Sequence, residues 1–291
     1  MNDITINPNK RILAQLMDRT FLNLVLLRLL KTVFSKGYIR AVHYHDTTYD
    51  SADNFEKQLQ FYQHYFSPVS LKDLELFLKN KLWKKAKPGL IISFDDGLRS
   101  NYEIATPLLE KYGFIGWFFI PPGFVDTPLE AQNQFAREHD IVSDCRVSLE
   151  DRIAISWEEA LELKKKHVLG CHTLTHHRMA PEDSDGTLDN EIIESKLMME
   201  QRLNHPIDIF CWVGGEEQSY TRKAAQYIQK AGYRYSFMTN TAPILPHTSP
   251  FQLQRTNVEA FWPLDIIKFQ LCGIMDLLYI PKRKRVNQLT N

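Results

Sequence analysis

A chain of 291 residues can bury a large core, and α/β barrels of this size form a single domain. It carries 35 basic and 35 acidic residues, a balance that argues against a nucleic-acid partner, which would need a basic stripe to neutralise phosphates. The cysteines are widely spaced and contain no paired metal-binding motif; they are Cys145, Cys171, Cys211 and Cys272. We expect them to be reduced, as is typical of a cytoplasmic protein.

Residues 1–37 are predicted to form an N-terminal amphipathic helical segment, with leucines such as Leu22 and Leu26 at helical spacing. Its apolar run, residues 21–30, begins too late for a secretion signal and is too short for a membrane span. Arg28 also interrupts it. Two interpretations stay open: the helix packs on the rest of the protein, or it makes a peripheral contact with the inner face of a membrane.

Two adjacent aspartates follow a short apolar run, residues 90–92, after a Pro-Gly turn. This pattern predicts a buried strand that delivers Asp95 and Asp96 to its carboxyl end. Neighbouring side chains of an extended segment point to opposite sides, so the two carboxylates would have different tasks if the strand geometry persists. The other interpretation is that Asp-Asp-Gly only makes a tight turn.

Three histidines, His172, His176 and His177, follow a second apolar run at residues 168–171. A lone histidine in such a place is more often a core residue than a ligand. One carboxylate and two neutral imidazoles, however, suit zinc or a similar divalent ion and leave positions open for water and substrate. A second carboxylate is then left over as a base, so the two motifs together indicate a metal-dependent hydrolase.

The rest of the chain alternates between helical and strand-like patterns, which predicts a parallel α/β arrangement. Residues 124–152 form an insertion that could wall the substrate groove. The predicted helices are 101–112, 157–166, 188–203 and 220–231, and the predicted strands are 116–120, 207–213 and 234–238.

Ser-Phe-Asp-Asp-Gly at 93–97 and His-Thr-Leu-Thr-His at 172–176 resemble the first two motifs of the polysaccharide deacetylases, the NodB-homology group or carbohydrate esterase family 4. Residues 42–45 also resemble the opening strand of that family, and residues 155–159 resemble the lead-in to its histidine motif. The resemblance implies a distorted, incomplete (β/α) barrel with its site at the carboxyl ends of the strands.

The same resemblance implies a catalytic domain between the N-terminal helical segment and a C-terminal segment, and it implies an activity. Residues 38–262 would be the catalytic domain, and residues 263–291 a C-terminal helix and basic tail. The activity would be removal of N-acetyl groups from an amino sugar, in a polysaccharide or a lipid-linked glycan precursor. Two alternatives stay open: a deformylase or other non-peptide amidase on a sugar, and a non-catalytic glycan-binding or scaffold protein with a decayed site.

Residue by residue, the resemblance makes Asp95 the catalytic base and Asp96, His172 and His176 the ligands of a divalent metal, with zinc the expected ion. His177 would be a bystander or an alternative ligand.

The chain departs from the family further on, because its third-motif stretch, residues 210–215, contains no arginine to hold the base. Arg255 could reach the base from a later strand, or could simply be solvated. The backbone donor to the oxyanion would fall near Gly214, and Trp212 could form a sugar-stacking wall or fill the core. His247 is the candidate general acid by comparison with a late motif of the family.

Overall fold

The computed structural model describes residues 6–141 and 152–291. The strands are β1 (Ile39–Tyr44), β2 (Ser67–Pro68), β3 (Gly89–Phe94), β4 (Gly116–Ile120), β5 (Val168–Cys171), β6 (Ile209–Cys211), β7 (Tyr235–Met238), β8 (Leu253–Gln254) and β9 (Thr256–Asn257). The α-helices are α1 (Pro8–Arg19), α2 (Leu22–Val33), α3 (Ala52–Tyr65), α4 (Leu71–Asn80), α5 (Thr106–Lys111), α6 (Pro122–Asp126), α7 (Leu129–Glu138), α8 (Trp157–Leu163), α9 (Asp185–Leu188), α10 (Ser195–Leu203), α11 (Arg222–Lys230), α12 (Leu264–Leu271), α13 (Ile274–Leu278) and α14 (Ile280–Leu289). Two π-helical segments, Asn101–Ala105 and Asp189–Glu194, lead into α5 and α10.

The strands form one parallel sheet in the order β8-β7-β6-β5-β4-β3-β1-β9, and β2 pairs with the start of β3. The two ends of this order, β8 and β9, are separated along the chain by Arg255 alone. The chain therefore passes from the side of β7 to the side of β1 within one residue, which nearly closes the sheet into a barrel with one open seam. The predicted distorted, incomplete (β/α) barrel is confirmed.

Side chains alternate along the strands between two cores, because successive residues of a strand point to opposite faces. One core includes Ile91, Trp117 and Phe237. The other includes Ile92 and Phe118 together with residues of the surrounding helices. Both faces of β1, β3 and β4 are buried, which explains their nearly continuous apolar sequences.

The terminal helices pack on the barrel. Helix α12 contacts both α1 and α2, and Ala14, Met17 and Val286 are buried in the same core as the barrel helices. None of the helices in the described part of the chain is long and apolar enough to cross a membrane. Cys171, Cys211 and Cys272 are free and buried, whereas Cys145 lies outside the described residues.

Candidate active site

A cavity of about 430 Å³ opens at the carboxyl ends of the strands, the end at which barrel enzymes carry their chemistry. Residues at the carboxyl ends of β1, β3, β5 and β6, or just after them, contribute to its lining. They include His43, His45, Asp95, Asp96, His172, His176 and Gly214. The structure therefore brings the aspartate motif and the histidine motif together in one cavity.

Both aspartates face this cavity because the strand geometry ends before them. Strand β3 stops at Phe94, and the Asp95 N–H still donates to the carbonyl of Tyr44 at 3.0 Å. Asp96 and Gly97 then adopt positive φ angles of 70° and 64°, a conformation that L residues rarely take. The strand does not continue through the two aspartates. The expectation that their side chains point to opposite sides therefore does not apply.

Asp95 is held by Arg255 through two hydrogen bonds. The guanidinium Nη1 and Nη2 donate to Asp95 Oδ1 and Oδ2 at 2.6 and 2.9 Å, and Nη1 also donates to Ser93 Oγ at 3.1 Å. Burial opposes ionisation of Asp95, but the charge of Arg255, helped by His172 and His43, holds the pKa of this carboxyl well below its usual range. Arg255, at the break between β8 and β9, is thus not solvated and does reach the predicted base.

His172 and His176 each use Nδ1 to donate to a backbone carbonyl. His172 Nδ1 lies 2.9 Å from the carbonyl oxygen of Cys211, and His176 Nδ1 lies 2.6 Å from that of His139. An Nδ1–H donor leaves the Nε2 of a neutral imidazole with a free lone pair. Burial lowers the pKa of His172 to about 4, so this side chain is neutral at physiological pH.

Asp96 faces both of these Nε2 atoms. Its Oδ1 lies 3.0 Å from His176 Nε2 and 3.6 Å from His172 Nε2, and it has no hydrogen-bond partner although it is buried. A carboxylate oxygen and two imidazole nitrogens that converge in this way form a site suited to a cation. Burial disfavours a charged His176, but Asp96 outweighs burial and raises the pKa of that histidine, another sign that the position attracts positive charge.

The donor set therefore fits a divalent metal on Asp96, His172 and His176, whose ligand atoms lie within 4.8 Å of one another. Two other groups of comparable spacing contain Asp95, one with His43 and His45 and one with His172 and Cys211. Both oxygens of Asp95 already accept hydrogen bonds from Arg255, so this carboxylate is less available to an ion.

A buried glutamate, Glu191, holds the histidine loop. One of its oxygens accepts from the backbone N–H groups of Leu174 and Thr175, and the other accepts from Thr175 Oγ1 at 2.8 Å. These bonds support a loop in which Thr173 and His176 both have positive φ angles. Sequence reasoning did not find Glu191, because it lies in a π-helical segment whose sequence resembles an ordinary helix.

A histidine that sequence reasoning did not select, His45, also faces the cavity. It follows β1, and its Nδ1 lies 2.9 Å from Glu259 Oε1. The His45 side chain is 32% exposed, while that of Glu259 is 2% exposed. Burial disfavours the imidazolium, but the carboxylate of Glu259 outweighs it and raises the pKa of His45 to about 10.

The structure does not bring His247 to this cavity. Ile244 forms a bridge to Ile39, the first residue of β1, so the segment that carries His247 lies at the opposite, amino end of that strand. There His247 lines a separate cavity with residues 33–37.

Three site candidates remain, and one of them lines the cavity. Gly214 lines the cavity. Trp212 is buried in the core and its indole N–H donates to Ser236 Oγ, so it does not form a sugar-stacking wall. His177 pairs with Asp183 at 3.0 Å and is not among the residues that line the cavity.

The predicted insertion at 124–152 contributes at least one residue to the cavity. After α7, Asp140 has a positive φ angle and lines the cavity beside the backbone carbonyl that binds His176. Residues 142–151 of this insertion lie outside the described part of the chain.

The family model for polysaccharide deacetylase matches residues 84–236, just over half of the chain. The chain therefore belongs to the polysaccharide deacetylase family. It is a hydrolase that acts on N-acetyl amide bonds, and the family is metal-dependent. No curated protein sequence matches it significantly.

Solved structures with the same fold include a Streptococcus pyogenes deacetylase, PplD, in complex with acetate. It has a TM-score of 0.64 at 16% identity, and the match covers 80% of this chain and 98% of that one. A de-N-acetylase from Aggregatibacter actinomycetemcomitans gives 0.61 at 16% identity, covering 80% and 99%. IcaB from Ammonifex degensii gives 0.60 at 16% identity, covering 81% and 97%. At this identity the likeness is one of fold.

Proposed function

We propose that the chain removes N-acetyl groups from an amino sugar, in a polysaccharide or a lipid-linked glycan precursor. The observation that carries the proposal is the convergence of three different groups on one cavity. These are a carboxylate held by Arg255, a three-residue acceptor set around Asp96, and the His45 imidazole backed by Glu259. Each supplies a different requirement of amide hydrolysis: a base, an electrophilic charge and an acid.

Asp96, His172 and His176 are the ligands that we assign to the metal, and one carboxylate with two imidazoles favours zinc. Such an ion supplies positive charge that polarises an acyl carbonyl and lowers the pKa of water. The backbone of the histidine loop, held by Glu191, fixes the ligand positions before the ion binds.

Asp95 is our candidate for the base. Arg255 keeps it ionised and orients both oxygens, and Asp95 Oδ2 lies 4.0 Å from His172 Nε2, at the edge of the proposed metal site. It accepts a proton from the attacking water as the water oxygen bonds to the acyl carbon. Gly214 is the candidate backbone donor to the oxygen that gains negative charge.

His45 is our candidate for the general acid in place of His247. The Glu259 carboxylate favours the protonated imidazole, and His45 remains partly exposed to the cavity. It donates its proton to the sugar nitrogen as the C–N bond breaks, which releases acetate and a free amine. Their environments thus separate the two roles, because Arg255 favours the ionised form of Asp95 and Glu259 favours the protonated form of His45.

Two other functions are less well supported by these contacts. A decayed, non-catalytic site was suggested by the absence of an arginine in the third motif, but Arg255 makes the corresponding contact with Asp95 from the barrel seam. A formyl or other acyl group would use the same residues, so only a comparison of substrates can identify the acyl group.

For location we propose the cytoplasm, at the inner face of a membrane, in keeping with three buried free cysteines.

The test is acetate release from short N-acetylglucosamine oligomers by zinc-loaded protein, with chelated protein as control. Asp96→Ala should lose both metal and activity, whereas Asp95→Asn should retain the metal and lose at least about a hundredfold in rate. Formate release from N-formyl oligomers, measured in parallel, distinguishes the acyl group. Equal metal content in wild-type and Asp96→Ala protein would refute the ligand assignment, and metal-bound protein without any acyl release would favour the decayed site.

A further inference from the structure

Helices α1 and α2 present a second apolar face, away from the barrel. On α2, Leu22, Val25, Leu29 and Val33 recur at intervals of three and four residues, and all are exposed. The opposite side of the same helix buries Asn23 and Leu27. A helix that packs on a protein by one face normally places polar residues on the other. The outer face of α2 is therefore left without an apolar partner among the described residues.

The apolar surface continues beyond α2. Ile12 and Leu16, one turn apart on α1, are exposed, and so is Phe21 in the turn between the two helices. We call the exposed apolar residues of α1, α2 and this turn the outer face. Scattered surface leucines are ordinary, but adjoining helices that expose this many apolar side chains indicate a contact surface.

The charge around the outer face is strongly positive although the whole chain is neutral. Residues 8–36 contain six basic residues and one acidic residue, a net charge of +5. The one acid, Asp18, is neutralised by Lys268 at 2.8 Å. Five of the bases have exposed side chains that form no ion pair with the described residues; they are Arg11, Arg19, Arg28, Lys31 and Lys36.

One end of α13 lies close to α2, and its other end leads to the catalytic cavity. Val33, at the end of the outer face, lies instead at the amino end of β1. Gly273, just before α13, is so close to α2 that a Cβ there would lie 3.1 Å from the Leu30 side chain. Helix α13 ends in Leu277 and Leu278, which are both exposed, and the next residue, Tyr279, lines the cavity. Helix α13 therefore adds two exposed apolar residues between its contact with α2 and the cavity.

We propose that the outer face docks on a lipid bilayer that contains anionic headgroups. Apolar side chains enter the boundary between headgroups and acyl chains, and the unpaired bases bind the anionic lipids. The basic residues of α14 contribute less, because Lys282, Arg283 and Arg285 bind Gly215, Thr241 and Glu217 of the protein itself.

A second copy of the chain fits the outer face less well. A two-fold dimer brings the same patch of both copies together, so the five unpaired bases would face five like charges. An anionic bilayer instead supplies the opposite charge.

The experiment measures how much of the full chain sediments with lipid vesicles. One set of vesicles is pure phosphatidylcholine, and the other contains phosphatidylcholine and phosphatidylglycerol in equal parts. We expect binding to the anionic vesicles and at least about tenfold weaker partition to the neutral ones. The double variant Val25→Asp/Leu29→Asp should lose at least about tenfold in partition. The matched control Leu76→Asp/Leu197→Asp should bind like the wild type, because its two sites lie on other helices. The exposure is matched: Leu76 and Leu197 are 43% and 50% exposed, and Val25 and Leu29 are 47% and 52% exposed.

Thermal unfolding of both double variants confirms that each is folded, and hydrolysis of a soluble oligosaccharide reports on the active site independently of membrane binding. The docking proposal is refuted if wild-type protein stays in the supernatant with anionic vesicles, or if the two double variants bind equally well. It is also refuted if light scattering shows a wild-type dimer that Val25→Asp/Leu29→Asp converts to a monomer, since the outer face would then belong to a second copy.

Discussion

The two walls of the active-site cavity are assembled in different ways. The motif wall consists of Asp95, Asp96, His172 and His176, which two short sequence segments deliver directly after β3 and β5. The seam wall consists of His45, which lines the cavity, and of Glu259 and Arg255, which are buried behind the lining residues. These residues come together only because β8 and β9 bring the end of the chain back to β1. His45 and Glu259 are 214 residues apart in sequence. The family model matches residues 84–236 and so includes only the motif wall.

With the proposed roles, groups of the same chemistry come from strands other than those of the family motifs. The arginine that is absent from the third-motif stretch has a counterpart at the barrel seam, and the proposed acid lies on the first strand instead of a late one. The motif wall depends on local loops, whereas the seam wall depends on closure of the sheet. Substitutions in the seam wall should therefore affect both activity and stability.

The largest effect is expected for Arg255→Gln. Because Asp95 is buried, removal of its partner leaves an uncompensated carboxylate, and the free energy of unfolding should fall by about 3–5 kcal/mol. Activity should be lost as well, since Asp95 is no longer oriented. Urea unfolding measures the first effect. Arg255→Gln/Asp95→Asn should recover much of the stability but none of the activity, and a double variant as unstable as the single one would contradict the pairing.

The next effect is expected for His45→Gln, which should retain the metal and lose about a hundredfold or more in kcat. The loss should nearly disappear on p-nitrophenyl acetate, because that leaving group departs without a proton, whereas Asp95→Asn should be impaired on both substrates. His247→Ala is the matched control and should stay within about twofold of wild type, because His247 lies at the far end of β1. Equal losses for His45→Gln and His247→Ala would contradict the assignment of the acid.

The fold was largely predictable because its signals are local. The strand predicted at 116–120 is β4, and the helix predicted at 101–112 is observed as a π-helical turn followed by α5, ending before Gly113 with its positive φ angle. Helix boundaries were less predictable: the helix expected at 157–166 ends as an α-helix at Leu163. Periodicity identifies an element, but its end depends on capping and packing that a short window does not contain.

The motif wall was predictable for the same reason, since both of its segments carry their chemistry at a recognisable spacing. The seam wall was not, because nothing local connects His45 with Glu259, or Arg255 with Asp95. One signal was present: His43 in β1 and His45 just after this strand are two residues apart, the spacing of side chains on one face of an extended segment. The sequence did not decide whether α2 packs on the protein or is exposed, because its leucines are consistent with either. In the structure, one side of the helix is packed and the other is exposed.

The smallest effect expected within the seam wall is that of Glu259→Gln, and it should appear in the pH profile. Burial disfavours the imidazolium of His45, but Glu259, with smaller contributions from Asp96 and Asp95, raises the pKa of this histidine to about 10. The acid form therefore persists well above neutral pH and is lost as pH rises through the raised value. Without the carboxylate the pKa of His45 should fall, and the basic limb of kcat/KM should move to lower pH while the metal content stays unchanged. The shift is measured with metal-loaded wild-type and variant protein on the same oligosaccharide. A basic limb that stays in place would mean that Glu259 only packs against His45, and a uniform loss of rate at every pH would mean that it only positions the ring.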